Sequence, residues 1–414
     1  MRETWSSRKR VVIENPSAPI AREFGLPATE LGLALRLLFD VAAHADPGAV
    51  SDVVRTTSQV LGARAARLYI ADYALLWLQQ LDATGSVGDP MPIEGTMAGH
   101  SFANGQVELA GDDPTTVWVP LTDGSERLGM LELEFDGSLA QLPPTLDPII
   151  SALVMILVTK RRYTDVWNRA RRAQPLSTAA EAQWDLLPPL SCTTEDVAVS
   201  GILEPAYSIG GDSFDYAVSP KQLDFAIIDA IGHGMSAVLM SSVAINSLRN
   251  VRRQGGGLTE SYRQTDGLIA EHFGDSYYVT GQLGTLDLQT GELTWLNAGH
   301  VPPMLVRNGT YAGELECAPS MPIGLGGQVV QVATTSLQRG DRVLFYTDGN
   351  TESQAPDGSF FGTERLSDFL VRATLDHVSV AETARRLSAS VVNYVGTGLK
   401  DDATLFLIEY RGPT

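Results

Sequence analysis

Four aspartates in the C-terminal half of the chain stand at the edges of apolar, β-like stretches and beside small residues. They are Asp212 in "YSIGGD", Asp229 in "LDFAIIDAIGHG", Asp348 in "RVLFYTDG" and Asp401 in "KDDATLFLI". A single aspartate at the end of a strand is usually a turn former or a cap. Four that converge would repel one another and raise each other's pKa, a cost that a bound divalent cation removes. The pattern therefore predicts a metal site.

The ligand type indicates which metal this site would take. Ligands that are all oxygen favour a hard cation, Mg²⁺ or Mn²⁺, over zinc. The adjacent glycines permit backbone carbonyls to approach closely. Cys192 and Cys317 are far apart and form no CxxC pair, which argues against a structural zinc site and a disulfide framework. This cysteine usage suits a reducing compartment, and we expect a cytoplasmic protein.

Composition excludes several broad classes of function. The chain has 414 residues, enough for two or three domains, and a formal net charge of -19. Generic binding to nucleic acid or to an anionic membrane needs a basic surface, so both are disfavoured. The most apolar run, residues 149–158, is shorter than the roughly 20 residues that span a bilayer. We interpret it as a buried helix, and the first residues lack the apolar core of a signal peptide.

Hydrophobic periodicity and the positions of prolines divide the chain into four parts. Residues 1–28 form a proline-broken arm, 29–160 a first domain, 161–190 a helical connector that ends at Pro188-Pro189, and 191–414 a larger domain. The larger domain is rich in β patterns, with two long helical stretches at 235–253 and 366–395. The expected fold class is therefore a multidomain α+β protein.

The first domain has a recognisable order of predicted elements. Helices are expected from residue 31 and over 50–60, strands over 66–70 and 75–81, a hairpin over 116–135, and a closing helix over 146–158. Together with "LGARAARLYIAD" and "VWVPLTDGSERLGMLELEF", this order resembles a GAF domain. The resemblance implies a sensory or dimerising module. His44 and His100 are expected to be structural or surface residues, and a module that binds no ligand and only transmits partner binding is left open.

A second resemblance covers about half of the chain. The motifs "GGDSFDY", "IIDAIGHGMSA", "LNAGHVPPML", "MPIGLG", "FYTDGNTES", "FGTERL" and "DDATL" occur in the order found in metal-dependent PPM-type serine/threonine phosphatases. They are most similar to the bacterial SpoIIE/RsbU-like branch. The resemblance implies an α/β sandwich for 191–414, with two antiparallel sheets flanked by helices and metals at the sheet ends.

The resemblance assigns roles to individual positions. It implies two Mn²⁺ or Mg²⁺ ions held by Asp212, Asp229, the carbonyl of Ala230, Asp348 and Asp401, with Asp229 bridging them. Asp402 is a one-residue alternative to Asp401. The same four aspartates would be the catalytic residues, because water activated between the ions does the chemistry.

The implied activity is hydrolysis of phosphoserine or phosphothreonine on a regulatory protein, a STAS-type anti-sigma-factor antagonist, under control of the GAF-like domain. A homodimer through the connector helices and the GAF-like domain is a further hypothesis. The arginine that clamps phosphate in eukaryotic members has no counterpart before Gly210, which predicts modest substrate affinity without docking contacts. Two rival functions stay open: a catalytically silent scaffold that binds a partner protein, and a small-molecule receptor with the phosphatase as its output.

Three further residues near the motifs have open roles. His233 either donates a proton to the leaving group or starts a helix between two glycines. We expect His300 to make a structural hydrogen bond. Asp215 either supports the metal ligands or lies on the surface.

Overall fold

The computed structural model describes residues 28–46, 48–82, 87–110, 115–124, 126–137, 139, 141–208, 210–274, 276–327, 329–396, 398–399 and 401–413. The predicted arm at 1–28 lies almost wholly outside these residues. The chain divides into two compact units, with the main boundary between Arg171 and Arg172. The short segments Ala71–Trp77 and Gly124–Arg127 group with the second unit.

The first unit combines helices with one antiparallel sheet. Its helices are α1 (Ala28–His44), α2 (Val50–Val60), α3 (Met97–Asn104), α4 (Leu146–Lys160) and α5 (Val166–Ala170). Its strands are β1 (Ala65–Ala71), β2 (Trp77–Leu81), β3 (Val87–Pro92), β4 (Glu108–Ala110), β5 (Thr116–Asp123) and β6 (Glu126–Glu134), in the order β3-β2-β1-β6-β5-β4.

The core of this unit follows from helical spacing. Val50, Val53, Val54 and Thr57 of α2 are buried at intervals of three and four residues, as on one face of a helix. The three valines pack in one cluster with apolar residues of α1, α4 and the sheet. The predicted helix over 50–60, the strand over 66–70 and the hairpin are confirmed, whereas the strand expected at 75–81 begins only at Trp77. The GAF resemblance stays a prediction.

The second unit contains two antiparallel sheets. The strands of the first sheet are β9 (Ser213–Val218), β10 (Gln222–Ala230), β11 (Val279–Asp287), β12 (Glu292–Ala298) and β15 (Ala333–Ser336), in the order β15-β12-β11-β10-β9. Those of the second are β7 (Ser191–Thr193), β8 (Val197–Glu204), β13 (Met304–Arg307), β14 (Thr310–Glu314), β16 (Arg342–Tyr346) and β17 (Ala403–Tyr410), in the order β14-β13-β16-β17-β8-β7.

Helices cover the outer faces of these sheets. The helices of the unit are α6 (Thr178–Leu186), α7 (Met235–Arg253), α8 (Leu258–Phe273), the short α9 (Asp348–Thr351), α10 (Gly362–Leu375) and α11 (Val380–Val395). Apolar residues of α7 and α8 share a core with β10, β11 and β12, and those of α10 and α11 share one with β13, β16 and β17. The predicted sandwich of two antiparallel sheets flanked by helices is confirmed.

Aromatic rings join the inner faces of the two sheets. Phe225 of β10 lies with its ring centroid 4.7 Å from that of Phe345 and 5.7 Å from that of Phe406. A Cβ at Gly284 would stand 2.2 Å from the ring of Phe225, so only glycine fits there. Because β10 is covered on both faces, its sequence is almost continuously apolar rather than alternating.

Two helical predictions need correction. The connector is not one helix: Arg161–Tyr163 forms a 3₁₀ turn, α5 is five residues long, and α6 begins only at Thr178. The stretch over 366–395 is two helices, α10 and α11, separated at His377, which has a positive φ of 53°. In the described ranges, no helix has both the length and the apolar character needed to cross a bilayer.

Candidate metal centre

Three of the predicted aspartates line one cleft at the ends of the strands. Asp229 is the second-last residue of β10 and pairs with Thr280 of β11. Asp348 opens α9, two residues after β16, and Asp401 stands two residues before β17. All three face a cavity of about 280 Å³. Residues up to 172 apart in the sequence therefore meet because neighbouring strands of both sheets end at the same edge.

Asp212 lies behind this cleft rather than in its wall. Its side chain is only 1% exposed, and its Oδ2 accepts a hydrogen bond of 2.7 Å from Oγ1 of Thr347. Burial raises the pKa of Asp212 well above its usual value, and the negative charges of Asp229 and Asp402 raise it further. Asp212 is therefore close to the acidic cluster but shielded from water.

The aspartates of the Asp-Asp pair have different environments. Asp402 is buried, and its carboxylate accepts hydrogen bonds from the backbone N–H of Gly210 at 2.9 Å and of Asp212 at 3.1 Å. Burial raises its pKa to about 6, against these hydrogen bonds. Asp401 is exposed and lines the cleft, while its Oδ1 accepts from the N–H of Asp402 at 2.9 Å. Of the two, Asp401 is the side chain accessible from the cleft.

The cleft aspartates raise one another's pKa by mutual repulsion. Burial raises the pKa of Asp229 to about 7, and the charges of Asp348, Asp401 and Asp402 add to this. Burial and the charge of Asp401 also raise the pKa of Asp348. These carboxylates are therefore close enough to destabilise one another when all are ionised.

Glycines permit the close approach of the loops that carry the aspartates. A Cβ on Gly211 would lie 2.1 Å from the carbonyl oxygen of Ala230, and one on Gly349 would lie 1.8 Å from that of Asp402. Both distances are far below van der Waals contact, so any side chain would push these loops apart. The carbonyl of Ala230, a predicted metal ligand, thus packs directly against the Gly-Gly-Asp loop.

The chemistry of the donor set fits a hard divalent ion. Asp229, Asp348 and Asp401 offer carboxylate oxygens in one cleft, and burial with mutual repulsion favours a bound cation. Among the described residues, no three histidine, cysteine, aspartate or glutamate side chains form a ready-made metal cage. Mg²⁺ is usually held by one or two carboxylates with several waters, so such a cage is not required.

His300 has a structural role, and the predicted hydrogen bond is confirmed. Its Nδ1 lies 2.9 Å from Oγ1 of Thr280, and its Nε2 lies 3.1 Å from the carbonyl oxygen of Tyr346. Burial lowers its pKa to about 4, so the ring is neutral at pH 7. It lines the cleft and links β11 to β16.

The two other open residues are not among the residues that line the cleft. His233 is exposed and immediately precedes Gly234, the N-cap of α7. The surface alternative for Asp215 is wrong: its side chain is 2% exposed and pairs with Arg249 and Arg252 of α7 at 2.7 and 2.8 Å. Burial of this ion pair depends on the packing of α7 on β9, which the sequence pattern does not show.

The sequence analysis assigned no role to Thr347. Its Oγ1 donates to Asp212 and accepts from the N–H of Thr404 at 2.9 Å, so it links the loops before β9 and α9 to the start of β17. Its position directly before Asp348 in "FYTDG" was the available signal.

Comparisons with known proteins agree with this site. A profile described as Stage II sporulation protein E (SpoIIE) matches residues 219–411. Protein IcfG of Synechocystis sp. is 21% identical over 57% of this chain and 41% of its own length. Phosphoserine phosphatase RsbU of Bacillus subtilis is 22% identical over 57% of this chain and 70% of its own length. The chain therefore spans less than half of IcfG.

Solved structures also resemble part of the chain. The RsbU and RsbW domains of a Mycobacterium tuberculosis protein are 26% identical with a TM-score of 0.46, over 53% of this chain and 62% of that one. The SiaA-PP2C domain of Pseudomonas aeruginosa is 21% identical with a TM-score of 0.47, over 56% and 94%. The profile match and the ordered aspartate motifs thus make residues 219–411 similar to the Stage II sporulation protein E (SpoIIE) family.

Proposed function

We propose that this chain is a Mg²⁺- or Mn²⁺-dependent phosphatase that acts on phosphoserine or phosphothreonine in a protein. The observation that carries the proposal is the single cleft lined by Asp229, Asp348 and Asp401. The match of residues 219–411 to the SpoIIE profile and the similarity to a phosphoserine phosphatase support it.

Each residue of the centre has a distinct part in this proposal. Asp229, Asp348, Asp401 and the carbonyl of Ala230 would hold the ions, and Asp212 would complete the set from behind the cleft. When bound, two such ions lower the pKa of water and neutralise charge on the transferred phosphoryl group.

Other residues hold this arrangement in place. Asp402 and Thr347 fix the loops that carry the ligands, through the hydrogen bonds described above. His300, neutral near pH 7, orients the strand ends rather than supplying a proton.

The substrate and the control of the enzyme are part of the same proposal. We expect the substrate to be a cytoplasmic phosphoprotein of the STAS type, an anti-sigma-factor antagonist. Similarity to the phosphoserine phosphatase RsbU supports phosphoserine as the residue that is hydrolysed. The N-terminal unit would act as a GAF-like regulator, and pairing of two chains through the connector would set the active-site geometry. A chain that stays monomeric at high concentration in light scattering, with full activity, would refute the pairing.

The decisive test is turnover of p-nitrophenyl phosphate and of a phosphoserine peptide by the full chain. We expect activity with Mn²⁺, none with EDTA, and a loss of about 100-fold or more in Asp229→Asn and in Asp348→Asn. Parent-like rates in both variants would contradict the proposal. Calorimetric titration with Mn²⁺ tests the silent-scaffold alternative, which predicts no heat of binding.

A further inference from the structure

A second cavity adjoins the cleft. It has a volume of about 360 Å³ and shares Asp348 and Asp401 with the cleft. Apart from Gly349, its other lining residues come from the segment 352–360 and from the end of α11, and include Glu352, Phe360 and Val395. We name this cavity the flanking groove. A phosphoryl group held at the cleft aspartates would leave the rest of its polypeptide at the mouth of this groove.

We propose that the flanking groove binds the residues on either side of the phosphorylated residue, and that it selects substrates with basic and apolar side chains there. This inference rests on the proposed phosphatase function and adds the substrate preference.

One wall of the groove is rigid before any substrate binds. The segment 352–360 folds back on itself, with the N–H of Ala355 donating to the carbonyl of Ser359 and that of Phe361 to Ser353, both at 2.9 Å. Oη of Tyr394 donates to the carbonyl of Phe360 at 3.1 Å. A wall fixed in this way loses little conformational freedom on binding, which favours selectivity.

The exposed side chains of this wall define the preference. Phe360 is 51% exposed, so its ring offers an apolar surface that a substrate side chain can cover. Glu352 is exposed and carries a negative charge beside Asp348. In the described part of the chain, no lysine or arginine lines the groove.

Arg365 lies beside this wall but is not a lining residue of the groove. Its Nη1 donates to the carbonyls of Phe360 and Phe361 at 2.8 and 3.0 Å, and its charge interacts with Asp357. Bound ions would neutralise the cleft aspartates, which leaves Glu352 as the charge that a substrate meets. A basic side chain therefore complements the groove, and an acidic one is repelled.

The test reverses the charge of the side chain on the enzyme and of the side chains on the substrate. The test uses two phosphoserine peptides, one with arginine and one with glutamate on both sides of the phosphoserine. The third substrate, p-nitrophenyl phosphate, has no flanking residues. We expect the parent, loaded with Mn²⁺, to show about threefold higher kcat/KM for the arginine peptide, and Glu352→Arg to reverse this order. Phe360→Ala should lower kcat/KM for both peptides by about fivefold, and by much less for p-nitrophenyl phosphate.

Matched controls separate the groove from general surface effects. Glu316→Arg changes the charge of another exposed glutamate, and Leu375→Ala removes another exposed apolar side chain. Both should keep the parent's order of peptides. An unchanged peptide ratio in Glu352→Arg overturns the inference while the phosphatase proposal stands. A parent that hydrolyses none of the three substrates removes both.

Discussion

At the scale of single residues, the two members of the Asp-Asp pair before β17 have different environments, which fit the proposed ligand role for Asp401 and a structural role for Asp402. Asp401 faces the cleft, whereas the carboxylate of Asp402 is occupied by backbone N–H groups. We expect Asp401→Asn to weaken Mn²⁺ binding by at least about tenfold in calorimetry with little change in stability. Asp402→Ala leaves buried N–H groups of Gly210 and Asp212 without this acceptor, so the free energy of unfolding should fall by about 2 kcal/mol or more.

Both variants are measured in the same way, by Mn²⁺ titration and by urea unfolding in EDTA, where weaker metal binding does not itself change the stability. The opposite result, in which Asp401→Asn unfolds more easily and Asp402→Ala keeps its stability but loses the metal, would exchange the two roles.

Glu204 provides a pH-dependent prediction away from the cleft. It ends β8 with only 9% of its surface exposed, and burial raises its pKa from 4.5 to about 7, although the N–H of Ala206 donates to its Oε2 at 3.0 Å. The folded protein thus keeps a proton that the unfolded chain releases between these pH values. Stability is therefore lost as pH rises through this window, by up to about 3 kcal/mol.

Glu204→Gln removes this penalty and retains an oxygen acceptor for Ala206. We expect the variant to match the parent near pH 4.5 and to be increasingly more stable up to pH 8, measured by urea unfolding at each pH. Glu316→Gln, at an exposed position, serves as the control and should show no such trend. A constant difference between parent and Glu204→Gln at all pH values would contradict the prediction.

At the scale of elements, the packing of α7 on β9 depends on one buried carboxylate. Nε and Nη2 of Arg249 donate to Oδ1 of Asp215 at 3.0 and 2.7 Å, and Nη2 also reaches the carbonyl of Leu186 at the end of α6 at 2.8 Å. Arg252 binds the other oxygen of Asp215 at 2.8 Å. The arginines thus join α6, α7 and the strand that follows Asp212.

Arg249→Met should lower the free energy of unfolding by about 2 to 3 kcal/mol, because Asp215 keeps only one of its two cationic partners. Arg253→Met changes the neighbouring exposed arginine and should cost less than about 0.5 kcal/mol. Both are measured by urea unfolding. Equal effects at the two positions would show that burial of the ion pair has no energetic consequence.

Helices with strong hydrophobic periodicity were predicted with the right bounds. Breaks between helices were missed, although proline and N-cap serines in the sequence indicate them. The helix over 50–60 and the helix over 235–253 have the predicted bounds. The connector breaks because Pro175 cannot extend a helix and Ser177 caps the next one, its Oγ accepting from the N–H of Ala180 at 3.1 Å. Ser379 caps α11 in the same way, through the N–H of Glu382. Helix α8 was not predicted.

At the scale of the whole molecule, the excess of acidic groups should make the stability of the folded chain depend on metal binding. The net charge of -19 includes the cluster around the cleft, whose members repel one another without a cation. An ion that binds only the folded state stabilises it by about 2.7 kcal/mol at 100 times its dissociation constant. Mn²⁺ should therefore raise the melting temperature of the parent relative to EDTA, and should have little effect on Asp229→Asn. A shift of equal size in both proteins would place the stabilising ion elsewhere.

The sequence by itself determined the class of the C-terminal unit and the identity of its candidate ligands. Apolar strands that end beside aspartate and glycine are local patterns. The order of these patterns along the chain gave the family resemblance, and the resemblance predicted the two-sheet sandwich. Local patterns also located Asp212, Asp229, Asp348 and Asp401, because the residue types that bind hard cations are few.

Only the tertiary structure decided how these residues divide their roles. It placed Asp401 in the cleft and Asp402 beneath it, buried Asp215 against two arginines, and brought Thr347 to Asp212. It also set the flanking groove beside the cleft. Burial and long-range hydrogen bonds depend on which strand ends meet and which helix covers them. Neighbouring aspartates with the same local sequence can therefore have opposite environments.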